Sequence, residues 1–158
     1  MSFRRHGIQA VLSRLAEELK TGPGYGLFTI LAPHESGKRL DRLYSTNHVQ
    51  YPLGAADGVK DDLWFRRLFV DKLPIVANTL AAIGEWLPDY EIFVEQNYSS
   101  LLNLPVVFAG QTIRLINMMA GDNHFDRSAL SRIDEALPIA ALAILGSTCK
   151  PLGIVPIA

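Results

Sequence analysis

The runs Ser100-Leu101-Leu102-Asn103-Leu104-Pro105-Val106-Val107-Phe108 and Gln111-Thr112-Ile113-Arg114-Leu115-Ile116-Asn117-Met118-Met119 decide the fold. Side chains along a strand point alternately to opposite faces. In the first run Ser100, Leu102, Leu104, Val106 and Phe108 alternate with Leu101, Asn103, Pro105 and Val107. In the second, Ile113, Leu115, Asn117 and Met119 alternate with Arg114, Ile116 and Met118. Ala109-Gly110-Gln111 supplies the turn between them. Both faces are largely apolar, so this predicts a central hairpin covered on both sides.

Working outward, Asp126 starts a helix whose apolar stripe is Leu130, Ile133, Leu137, Ala141 and Ile144, kinked at Pro138. At the other end, Ile8, Val11, Leu12, Leu15 and Leu19 recur at helical spacing from about Phe3 to Lys20. Thr21-Gly22-Pro23-Gly24 ends that helix. Leu27–Leu31 and Arg39–Ser45 read as strands joined through the polar turn His34-Glu35-Ser36-Gly37. The segment 46–98 is irregular. His48–Gly58 reads as loop, Asp61 and Asp62 cap a helix over Leu63–Phe69, and Leu73–Ala77 is a short edge strand. Leu80–Trp86 and Asp89–Gln96, separated by Pro88, read as one or two short helices. Hairpin-joined strands with helices at both ends predict an α+β fold. Its terminal helices cover one sheet face and the insert covers the other.

A chain of 158 residues fits one domain, expected over residues 3–145 with a C-terminal tail at 146–158. A net charge of -1 gives no basic field for nucleic acid. The longest apolar stretch, Leu137–Leu145, is too short to span a bilayer, and no signal peptide precedes the first helix. The single cysteine, Cys149, forms no internal disulfide, which suits a cytoplasmic protein.

Little catalytic equipment is visible. Gly22-Pro23-Gly24-Tyr25-Gly26 follows a helix and opens a strand, the reverse of a dinucleotide loop. The histidines at 6, 34, 48 and 124 have no metal-ligand spacing. No serine or cysteine sits in a nucleophile motif. His34 and His124 fall in turns. His48 lies in a loop that should border a pocket above the sheet. A small-ligand site needs apolar walls and a few placed polar groups. The insert and strands supply Tyr44, His48, Tyr51, Trp64, Trp86, Tyr98, Ser100 and Asn103 as candidate lining residues. Asn103 and Asn117 interrupt apolar strands, and each must either tie down a loop or face a ligand. Arg42 could face an anionic ligand, but an exposed strand position is the expectation.

The runs Arg42-Leu43-Tyr44-Ser45-Thr46-Asn47, Ser100–Val106 and Gly110–Asn117, with Phe125 and the closing helix behind them, resemble a GAF domain over nearly all of Phe3–Leu145. The resemblance implies a GAF-like (profilin-like) antiparallel sheet of five to six strands. Ligand would lie beneath the insert, and the terminal helices would often form a homodimer interface. Known ligands of such domains include cyclic nucleotides, haem, bilins, amino acids, aromatic acids and 2-oxo acids. The Asn, Lys, Phe, Asp, Glu motif of cyclic-nucleotide binders matches at Asn117 and Phe125 and breaks at Met118, Ala129 and Leu130. The pocket thiols of GAF methionine-sulfoxide reductases and bilin binders have no counterpart before Cys149. The expectation is a sensory, small-molecule-binding module without catalytic residues, metal or cofactor, whose output protein is a separate chain. A dimerising interaction module with a vestigial pocket is the alternative, and a GAF-fold enzyme is the third.

Overall fold

The structure, a computed structural model, describes residues 2–136. The expected stripe residues Leu137, Ala141 and Ile144, the kink at Pro138, the 146–158 tail and Cys149 lie outside the described residues. Helix α1 (Ser2–Thr21) leads into strands β1 (Leu27–Pro33), β2 (Arg39–Ser45) and β3 (Gly54–Gly58). The short helix α2 (Leu63–Phe65) runs into a π-helical turn, Arg66–Val70. Then come β4 (Ile75–Ala77), α3 (Leu80–Trp86), α4 (Glu91–Glu95), β5 (Ser100–Phe108) and β6 (Gln111–Ala120). Helix α5 begins at 127 and is followed to 136. The strands form one antiparallel sheet in the order β3-β2-β1-β6-β5-β4.

Strand β3 corrects the expectation of a loop over His48–Gly58. Gly54-Ala55-Ala56-Asp57-Gly58 carries none of the β-branched or aromatic residues that mark strands. It is extended because its backbone supplies the hydrogen bonds that the outer edge of β2 needs, pairing Arg39 with Gly58 and Arg42 with Gly54. The short strand expected near Leu73–Ala77 is present as β4, at the opposite edge.

One parity of each central strand faces α1 and α5. Phe28, Ile30, Leu102, Val106, Ile116 and Met118 pack there against Leu12, Leu15, Ala16 and Leu19 of α1 and Ile133 of α5. Val11, counted in the helix stripe, lies at its rim and is 43% exposed. Asp126 caps α5 by accepting from the Ala129 amide at 2.8 Å.

Two contacts fix the turn from α1 into β1. The Tyr25 hydroxyl donates to the Ala16 carbonyl at 2.7 Å, and its burial, with Tyr44 and Glu17 nearby, pushes its pKa up to about 12. Tyr25→Phe removes this hydrogen bond, leaving the Ala16 carbonyl only its helical partner, and should lower stability at neutral pH by about 1 kcal/mol. Between the ordinary tyrosine pKa and 12, the unfolded chain loses this proton and the folded chain keeps it. Wild-type stability therefore falls with rising pH there. The gap between wild type and Tyr25→Phe should shrink above pH 10, as read by urea denaturation along a pH series. A gap that widens would contradict the buried neutral hydroxyl.

Gly26 donates to the Met119 carbonyl at 2.7 Å, with the Tyr98 ring against it. A Cβ at this position would meet Tyr98 Cε1 at 2.6 Å and the Met119 carbonyl at 3.3 Å. Gly26→Ala should cost about 1–3 kcal/mol through overpacking, read as a lowered Tm.

Candidate functional site

The other parity of the sheet forms the floor of a cavity of about 360 Å³ beneath the insert. Cross-strand register arranges this floor in rungs. Leu101, Met119 and Leu27 form one apolar rung across β5, β6 and β1. Pro105, Leu115 and Leu31 stand in line as another, of which Leu31 lines the cavity. Between them lies a polar rung, Asn103, Asn117 and Thr29. Leu40 and Arg42 extend the floor onto β2. The roof is built from Tyr51, the segment from Val59 to Phe65, and the stretch from Leu87 to Phe93.

The polar rung is a continuous relay. Trp64 Nε1 donates to Asn103 Oδ1 at 3.1 Å, Asn103 Nδ2 to Asn117 Oδ1 at 2.6 Å, and Asn117 Nδ2 to Thr29 Oγ1 at 3.3 Å. Asn103 and Thr29 are buried. A buried amide needs partners, and here each asparagine finds one in its cross-strand neighbour. Trp64 reaches the floor because Asp62 starts α2, its side chain accepting from the Phe65 amide at 2.8 Å. Asp61 forms a two-pronged exposed pair with Arg66 at 2.7 and 2.8 Å, which holds its carboxyl below the usual range. Tyr51 donates to Gln96 Oε1 at 2.5 Å, tying the loop after β2 to the end of α4, and burial raises its pKa.

Of the eight expected lining residues, Tyr51, Trp64 and Asn103 line the cavity. Five are placed elsewhere. Tyr44 has the parity of Phe28 and Ile30, and its ring packs edge-on against Phe28 in the helix-side core, 5.7 Å between centroids. Ser100 shares the helix-side parity and donates to the Gly121 carbonyl at 2.6 Å. His48 sits exposed in the loop after β2, off the cavity wall. Trp86 turns to the cluster around Leu68 and Ile75 and to a shallow groove with Asp61 and Arg66. Tyr98 covers Gly26 beside Leu27 and Met119 and stops short of the cavity.

Arg42 corrects a further expectation. It is half-buried in the floor, donates through Nη1 to the Pro52 carbonyl at 2.9 Å, and lies 5.3 Å from the Tyr51 ring centroid. Thr29 was not singled out from sequence. Threonine is an ordinary strand residue, and only its pairing with Asn117 sets it apart. No group of three or more His, Cys, Asp or Glu side chains is placed to hold a metal among the described residues.

Sheet order, helix placement and roofed face together define the GAF fold, and the chain adopts it. No family model and no curated protein sequence matches the chain. Solved structures do. The GAF domain of a two-component sensor histidine kinase from Bacillus halodurans superposes with a TM-score of 0.69 at 11% identity, covering 87% of this chain and 92% of that one. A GAF domain/HD domain protein from Geobacter sulfurreducens gives 0.70 at 14% identity, covering 89% and 93%. The type II free methionine-R-sulfoxide reductase of Thermoplasma acidophilum gives 0.64 at 14% identity, covering 92% and 94%. At these identities the likeness carries the fold. It spans sensor modules and an enzyme alike.

Proposed function

We propose that this chain is a sensory or regulatory module that binds a small molecule in the cavity between the sheet and the 46–98 insert. The observation that carries this is the buried polar rung set between apolar rungs of the floor. A pocket of roughly 300–1,000 Å³ with apolar walls and a few placed polar groups is the common form of a small-ligand site. Sensor domains among the structural neighbours support the sensory role. The GAF-fold reductase keeps an enzymatic role as the competing reading, and Cys149, the single thiol, lies outside the described residues.

A thermal-shift screen of the full chain against common metabolites tests the binding function. A ligand at 100 times its Kd stabilises the fold by about 2.7 kcal/mol, a readily measured shift. A screen with no stabilising compound would count against binding. The same proposal places the protein in the cytoplasm, with a separate output protein, and pairs two copies through their terminal helices. No helix among the described residues is long and apolar enough to cross a membrane. A monomer by light scattering would remove the dimer.

A further inference from the structure

The relay on the cavity floor has a direction, and Trp64 sets it. An indole N–H donates and cannot accept. Asn103 therefore turns Oδ1 toward Trp64 and Nδ2 toward Asn117 Oδ1. Asn117 in turn presents Nδ2 to Thr29 Oγ1. Both amide oxygens are thus engaged as acceptors, while donors are left over. The Thr29 hydroxyl hydrogen has no acceptor among the described residues, and one amide hydrogen of each asparagine is also unused. Thr29 is only 4% exposed and Asn103 3%. A buried donor without a partner costs more than a carbonyl oxygen with one lone pair idle. Register sets the three residues side by side across β5, β6 and β1, so the surplus of donors lies in one row of the floor.

No formal charge accompanies this row. Four charged residues line the cavity: Arg42, Lys60, Asp62 and Asp89. Lys60, Asp62 and Asp89 are exposed, and the Asp62 carboxylate caps α2. Arg42 is committed to the loop after β2, where Nη1 donates to the Pro52 carbonyl and the guanidinium lies over the Tyr51 ring. An anion seated on the polar rung would be buried against neutral donors alone. A cation there would meet donors in place of acceptors. Either costs far more than burying a neutral polar group. Beside the rung the floor is Leu27, Leu31, Leu101 and Met119.

Resting on the small-molecule reading above, we propose that the cavity selects an uncharged apolar molecule bearing a carbonyl oxygen, a ketone or an ester, with the Thr29 hydroxyl donating to that oxygen. Cyclic nucleotides, haem, bilins, amino acids, aromatic acids and 2-oxo acids all carry a carboxylate or a phosphate, and this reading excludes each of them. Thr29 is the specificity-determining contact. Trp64 is a positioning residue: it touches the selectivity only through the direction of the relay. With Trp64 replaced by phenylalanine, both amides are free to turn over. Thr29 then donates to Asn117 Oδ1 and no longer to the ligand.

Calorimetric titration of the full-length chain at neutral pH with four probes of one shape tests this: acetophenone, benzoate, benzamidine and α-methylstyrene. They share a ring and a planar head, which is in turn a neutral ketone, an anion, a cation and an apolar alkene. Acetophenone should exceed benzoate and benzamidine by about tenfold or more, because a charge taken from water without a counter-charge carries the larger penalty. Thr29→Val, equal in shape, should weaken acetophenone by about three- to tenfold, the size of one neutral hydrogen bond, and leave α-methylstyrene unchanged. Thr29→Ser should bind both as the wild type does. Trp64→Phe should shrink the ratio of acetophenone to α-methylstyrene, whereas simple loosening of the roof would weaken both alike. Benzoate or benzamidine matching acetophenone on the wild-type protein would overturn the inference and leave the pocket standing, as would α-methylstyrene binding where acetophenone does not. Those comparisons need no variant to fold. An unchanged ratio of acetophenone to α-methylstyrene in folded Thr29→Val would overturn it too. Binding of none of the four would overturn the pocket and the inference together.

Discussion

Phe28→Ala should lower the free energy of unfolding by about 3–5 kcal/mol, the usual range for emptying a large buried aromatic site. Phe28 has no exposed surface, and it sits where β1 meets α1. Its ring lies 5.4 Å from Tyr25 and 5.7 Å from Tyr44, centroid to centroid. Truncation removes both ring contacts and the burial of the side chain. The helices cannot close the gap without leaving Leu102 and Met118. Phe28→Leu keeps most of the volume and should cost clearly less. Urea denaturation of the three proteins checks the order. A loss under about 1 kcal/mol for alanine would contradict a tightly packed helix-side core.

Asn103→Leu should destabilise by about 1–3 kcal/mol for each group it orphans. Two groups stand to lose a partner. The Trp64 indole loses its acceptor and the Asn117 amide oxygen loses its donor. Leucine has nearly the shape of asparagine, so the loss comes from unmet polarity. The same substitution should abolish whatever stabilisation a ligand gives in the thermal-shift screen. Adding Trp64→Phe removes one of the orphans. The double variant should therefore lose less than the two single losses combined, with a coupling of about 0.5–3 kcal/mol. Additive losses would mean that Trp64 and Asn103 do not share a hydrogen bond.

Much of the framework was legible in the sequence because period-two alternation is a local property. The β5–β6 and β1–β2 hairpins follow from it directly, and α1 follows from helical spacing, which is equally local. Strand β3 was not legible, since Gly54–Gly58 is extended by its neighbour's hydrogen bonds rather than by its own residues. The site was half legible for a related reason. Alternation tells which residues share a face and not which face meets the helices. Tyr44 and Ser100 were assigned to the cavity and belong to the opposite parity. Bulges add to this, as the register shift between Ile30 and Leu31 shows. Trp86 and Tyr98 lie in the insert, whose path depends on contacts with distant strands. Asn103 and Asn117 stood out as amides among apolar residues. Thr29 became visible only when β1 and β6 were laid side by side.

That neighbouring of β1 and β6 also governs how the chain reaches its native state. Leu27 meets Met119, so the heart of the sheet joins strands from near the two ends of the described chain. Everything from β2 to β5 is an excursion that leaves the centre and returns to it. Such distant pairing is slow to find, and domains dominated by it fold in milliseconds to seconds rather than microseconds. Once closed, the central pair is indifferent to the length of the excursion. Each doubling of a flexible loop adds only about 0.6 kcal/mol. Residues added to the exposed loop after β2, around His48 and Val49, should therefore leave the frame intact and alter only what lies above the floor. In this architecture the roof is free to diverge while the floor stays in register.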